Sequence, residues 1–142
     1  MDISDVGLND FSPVSIVGGQ IMTLAVSKNS EWDTLEEFVE FAKNHPGEIK
    51  IGSPGAGTAP EVTNSMLTVE KGIEFTVVPF DGESPALTAL LGGQVDAAMP
   101  GNTLASRFYQ SGDVKILTVF HDQRIEQMPD VRPIVEIYPQ FK

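Results

Sequence analysis

The residues best placed to do chemistry are hydroxyls set among glycines. Ser53 and Thr58 lie in Gly52-Ser53-Pro54-Gly55-Ala56-Gly57-Thr58-Ala59-Pro60, between the β-branched run Ile49-Lys50-Ile51 and a helical pattern opening near Ala59. The glycines keep the backbone thin and free to take positive φ, and the following helix begins with unpaired N–H groups. Such a loop is a ready seat for a carboxylate or phosphate. It is not a P-loop, because the Lys-Ser/Thr ending is missing, and its G-x-x-G-x-G spacing is not the dinucleotide fingerprint. A tight strand-to-helix turn would ask for the same small residues, and Ser and Thr are ordinary helix caps. The stretch alone leaves both uses open.

Other chemistry is thinly provided. A serine nucleophile needs a histidine base with an orienting acid. His121 has Asp122 beside it, but neighbours in an extended chain point opposite ways, and no G-x-S-x-G elbow is present. Glu61, Asp81, Glu83 and Asp96 could supply paired carboxylates, although in so acidic a chain solvated faces are the default. With no cysteine and only His45 and His121, thiolate chemistry is excluded and a histidine-rich metal site is not expected. No cofactor is called for.

The 142 residues suffice for one domain with a real core, and 41% hydrophobic with 20% charged residues fits an ordinary globular protein. The formal net charge of -11, with nine scattered Lys and Arg, excludes nucleic acid and anionic membrane surfaces as partners. Residues 1–6 carry no signal-peptide pattern, and no run approaches the ~18 apolar residues of a spanning helix.

Several elements must position the loop. Val14–Val17 and Ile21–Val26 read as strands. Thr34-Leu35-Glu36-Glu37 is a capping box, opening a helix that ends before Pro46-Gly47. A second helix runs from Ala59 to Gly72, its C′ residue. Phe75–Val78 is a strand, and Ser84-Pro85 is an N-cap followed by proline at the first helical position. Val95–Met99 is a strand, Thr103–Gln110 a helix and Val114–Phe120 the last strand. Beyond His121, Pro129, Pro133 and Pro139 forbid a long regular element. The alternation indicates an α/β sheet layered by helices on both sides. Ligands of such sheets sit at the carboxyl ends of strands. That singles out three loops: Gly52–Pro60, Pro79–Glu83 and Met99–Asn102.

The ordered motifs Asp10-Phe11-Ser12-Pro13-Val14, Thr34–Phe38, Ala42–Gly47, Gly52–Thr58, Val78–Gly82, Pro85–Asp96 and Met128–Pro133 resemble the extracytoplasmic solute receptors of tripartite tricarboxylate transporters, the Bug-type receptors. They cover about residues 10 to 136. The resemblance implies a periplasmic-binding-protein type II lobe, with a central mixed sheet of about five strands flanked by helices. It also implies non-catalytic capture of a small carboxylate-bearing ligand. Residues 1–20 would be a hinge-proximal remnant of the first lobe, 21–120 the second, ligand-binding lobe, and 121–142 a return segment toward the first. Ser53, Pro54, Gly55, Ala56, Gly57, Thr58 and Pro60 would meet the ligand carboxylate. Phe80, Asp81 and Gly82 would line the cleft, as would Met99, Gly101 and Asn102. The expected partners are a small organic acid and, in the full-length periplasmic receptor, membrane transporter subunits.

Three departures from the family pattern stand out. The first lobe is absent, so surface around residues 11–20 and 131–141 is expected to be exposed, apolar and prone to self-association. Glu61 stands where the family commonly has histidine, and Asp81 where it often has lysine. Two rivals remain: the effector-sensing domain of a transcription regulator with the same fold, and a small α/β enzyme using Thr58 or Ser53 with a carboxylate.

Overall fold

In the computed structural model of the chain, residues 21–55 and 59–141 are described, with the backbone alone for 59–63. The expected strand at Val14–Val17 lies outside the described residues. Five strands form one sheet: β1 (Thr23–Ser27), β2 (Lys50–Ser53), β3 (Thr76–Pro79), β4 (Ala97–Ala98) and β5 (Val114–Val119). Their order is β3-β2-β4-β1-β5. β2 runs parallel to β3 and β4, while β1 is antiparallel to β4 and β5. The carboxyl ends of β2, β3, β4 and β5 and the start of β1 therefore share one edge.

Alternation along β1 divides the core. Leu24 and Val26 face a cluster with Leu35, Phe38, Ala42 and Leu67, from α1 (Leu35–Asn44) and α2 (Ala59–Lys71). Ala25 faces the opposite cluster, with Leu87, Leu90 and Ala105 from α3 (Glu83–Leu91) and α4 (Asn102–Gln110). Helices thus cover both faces, as the alternating pattern requires. A register shift between Leu24 and Ala25, whose partners are Thr118 and Ile116, skips Leu117. This bulge lets Val114, Ile116 and Val119 face one cluster while Leu117 joins the other.

The capping box forms as its sequence demands. The Glu37 N–H donates to Thr34 Oγ1 at 3.2 Å, and Glu37 Oε2 accepts from the Thr34 N–H at 3.3 Å and the Asp33 N–H at 2.7 Å. At α3 the outcome differs. The N-cap is Gly82, not Ser84, and Pro85 becomes the third helical residue. Gly82 reaches φ 127°, so the helix opens two residues early, and proline is tolerated because first-turn N–H groups lack helical partners anyway.

The segment after β5 also departs from expectation. It forms α5 (Ile134–Ile137) and a 3₁₀ turn over Pro139–Phe141, packed against the α1–α2 face. Thr118 Oγ1 donates to the Arg132 carbonyl at 3.0 Å, and Val119 bridges Pro133. Arg132 Nη2 reaches both Glu36 carboxylate oxygens at 2.9 Å. Lys71 Nζ lies 3.4 Å from the Tyr138 ring centroid, and burial pushes the lysine down and the phenol up from their ordinary pKa values. Val131 and Ile134 are buried. Residues 131–141 therefore cover this lobe, which corrects the expected exposed apolar surface there. The other half of that expectation, residues 11–20, lies outside the described residues.

Candidate functional site

The three candidate loops leave one edge of the sheet. Because β2 lies between β3 and β4, the root of the glycine loop, Gly52 to Gly55, lies between the other two. Its root is tightly held. Ser53 is 6% exposed, its carbonyl accepts the Phe80 N–H at 2.7 Å, and its Oγ accepts the Gly55 N–H at 3.3 Å. Gly55 takes φ 135°, a conformation that side chains rarely adopt. Ser53 Oγ thus performs a turn-capping task. Pro54 and Gly55 are half-buried. Ala56, Gly57 and Thr58, and the Pro60 and Glu61 side chains, lie outside the described residues.

Gly52 answers a packing demand. A Cβ there would come within 3.3 Å of both Ala86 Cβ and Phe80 Cε2. The Phe80 ring is half-buried against the α3–α4 cluster, so it works as a wall behind β2. Asp81 is exposed beside it, and Gly82 opens α3.

The third loop is more closed than expected. Met99 is 2% exposed and belongs to the α1–α2 core, so its side chain is structural rather than a crevice wall. Gly101 is buried and donates its N–H to Glu83 Oε2 at 3.2 Å. Asn102 fastens the entering chain: its N–H donates to the Ile21 carbonyl at 2.7 Å, and its Oδ1 accepts the Ile21 N–H at 3.2 Å. Thr23 Oγ1 donates to the Pro100 carbonyl at 2.8 Å. Two of the first N–H groups at α4 are therefore already engaged by the protein.

Of the candidate carboxylates, Asp81 and Glu83 lie at the loop edge of the sheet, and the Glu61 side chain lies outside the described residues. Asp96 sits at the opposite edge, where Oδ2 accepts the Lys50 N–H at 2.9 Å. His121 and Asp122 do meet, contrary to the extended-chain argument. The chain bends after β5, bringing Nδ1 3.0 Å from Asp122 Oδ1 and 3.1 Å from the Gln123 nitrogen. Near Asp96, a cavity of about 300 Å³ is lined by residues including Ser27, Ser30, Glu31, Trp32 and Val95. Its lining carries two carboxylates and no basic side chain, so it is no seat for an anion.

Asn64 was missed by the sequence reading. It is 7% exposed, one turn into α2 beyond the glycine loop, and no described donor meets its Oδ1. Buried polar groups are ordinarily paired. Its signal was a polar residue three positions before the buried Leu67, on the helix's inner face.

A family model described as "Tripartite tricarboxylate transporter family receptor" matches residues 4–142. BugT of Bordetella pertussis is 27% identical over 135 residues, covering 94% of this chain and 41% of its own length. Among solved structures, the periplasmic binding protein BugD aligns with a TM-score of 0.81 at 27% identity, over 87% of this chain and 42% of that one. MatC from Rhodopseudomonas palustris, solved with bound malate, gives the same four values. The chain spans between 37 and 41% of the length of three curated relatives it matches. The family-model match runs nearly end to end, and the mixed five-stranded sheet is the fold of the solved relatives. This chain belongs to the tripartite tricarboxylate transporter receptor family.

Proposed function

We propose that this chain is the carboxylate-seating lobe of a periplasmic solute receptor, and that it binds without catalysis. The carrying observation is the glycine loop at the shared edge, rooted by Ser53 and leading directly into the N-terminal end of α2. Backbone N–H groups there and the Thr58 hydroxyl would hold one ligand carboxylate. The bound malate of MatC supports a small organic acid as the ligand class. In the same reading residues 21–120 are the binding lobe, and β1 and β5 connect it at that edge to a second lobe, which excludes water on closure. Membrane subunits of the transporter are the expected partners of the complete receptor. Against the enzyme rival stand the absence of an assembled nucleophile–base pair among the described residues and a receptor family as kin. Against the regulator rival stands the same kinship.

The test joins this chain to the complementary lobe of a relative and follows thermal stability with mono-, di- and tricarboxylates. A ligand that binds only the native state raises the melting temperature by mass action. Stabilisation that disappears in Ser53→Ala with Thr58→Ala supports the loop as the seat. Thr58-dependent turnover of a bound acid would overturn the non-catalytic reading.

A further inference from the structure

We infer that Glu83 sets the charge selectivity of this lobe by filling, from within the protein, the anion position at the start of α4. This rests on the proposed carboxylate seat. Glu83 begins α3, just beyond β3, whereas Gly101 precedes α4, just beyond β4. The Gly101 N–H to Glu83 Oε2 bond of 3.2 Å therefore bridges across the end of β2, which lies between those strands. The first turn of α3 is tight against that end, since a Cβ on Gly52 would meet Ala86 Cβ at 3.3 Å. Glu83, one turn before Ala86 on α3, is half-buried at that same end of β2, where the glycine loop begins.

Two consequences follow. The Gly101 N–H, which a ligand carboxylate could otherwise recruit, is occupied, and the next N–H, of Asn102, is held by the Ile21 carbonyl. A negative charge on Glu83 would also face a carboxylate seated at that loop, and like charges in a partly desolvated site cost affinity. The exposed Asp81 adds to the same field. The lobe accordingly takes a ligand through one carboxylate and penalises a second carboxylate directed at this lobe. Monoanions, and dianions whose second charge faces away, are the favoured class.

The experiment titrates propionate and succinate into the 142-residue chain at pH 7, following the Ser53 and Gly55 amide resonances by NMR. Glu83→Gln keeps an acceptor for the Gly101 N–H and removes only the charge. The expected result is a rise in the succinate-to-propionate affinity ratio of roughly three- to tenfold at low salt. The rise should shrink as salt screens the charge, which a structural role would not produce. Glu83→Ala, which also frees the Gly101 N–H, should raise the ratio at least as far. An unchanged ratio, while both acids still move the Ser53 and Gly55 resonances, overturns the role of Glu83 and leaves the seat standing. No movement with either acid in any variant overturns the seat and this inference together.

Discussion

At the scale of single residues, Gly52 illustrates how packing at the site precedes chemistry. The Ala86 methyl and the Phe80 ring stand 3.3 Å from where a Cβ would sit, so any side chain there must push a neighbour aside. Gly52→Val should destabilise the fold by about 1–3 kcal/mol, the usual cost of overpacking, as measured by denaturant unfolding. It should also displace Phe80, whose N–H anchors the Ser53 carbonyl. Glu136 makes a milder case. Its carboxyl is held below the ordinary value chiefly by its hydrogen bond to Arg124, whose Nη2 lies 3.0 Å away. A depressed carboxyl pKa contributes stability above pH 4.5, its ordinary value, and loses it as pH falls through the folded value. Because the pair is exposed, the difference between wild type and Glu136→Gln should be small at pH 7, shrink with salt and vanish in acid. Thermal melts across pH would show this. A Glu136→Gln difference that grew on acidification would contradict the pairing. Residue patterns were legible where one local bond decided the outcome, as at Thr34 and Glu37. They misled where backbone freedom decided it. Ser84-Pro85 is a sound cap pair, but Gly82 could start the helix earlier, and nothing in the serine's chemistry reveals that.

At the scale of elements, the capping box and α5 differ in how they could be foreseen. The two partners of the box, Thr34 and Glu37, lie three positions apart in the chain, so α1 announces its own beginning. Thr34→Ala should cost about 1 kcal/mol in unfolding free energy, whereas Thr34→Ser should cost little. A loss from the serine variant equal to that of alanine would deny the hydroxyl its role. The α5 helix has no such local signature. It is four residues long and flanked by prolines, and its hold comes from distant groups: Thr118, Glu36 and Lys71. Long-range contacts of this kind are invisible to periodicity, so the prolines read only as breakers. The β5 bulge was hidden for a related reason. Val114 to Phe120 is apolar on both faces, and only the pairing with β1 reveals that Leu117 is skipped. At the loop edge of the sheet, the same limit concealed the Glu83–Gly101 bond, which joins residues 18 positions apart.

At the scale of the molecule, the sheet's edges and faces decide what is left open. The strand order sets the root of the glycine loop between its two neighbours. Alternation of strands and helices pointed to three loops at strand ends, and only the pairing reveals their order. What alternation also could not supply is how the lobe is finished on its α1–α2 side. Residues 131–141 finish it, laying Ile134, Val135, Ile137 and Tyr138 over the cluster around Leu35, Phe38 and Leu67. At the outer edge, β3 is shielded in another way. Thr76 and Phe80 direct their N–H groups to β2, so Val77 and Pro79 face outward, and proline offers no donor to an incoming strand. The fold thus places its aggregation risk under the C-terminal segment rather than on it. Deleting residues 134–142 should uncover the α1–α2 face and produce concentration-dependent association, or loss of cooperative unfolding, relative to the complete chain. Ile134→Ala, which thins the cover without removing it, should cost about 2–5 kcal/mol with little association. Sedimentation velocity of the three proteins side by side reads the comparison. If the deletion and the complete chain sediment and unfold alike, residues 134–142 do not seal the core, and the exposed surface expected from the sequence would return as the better account.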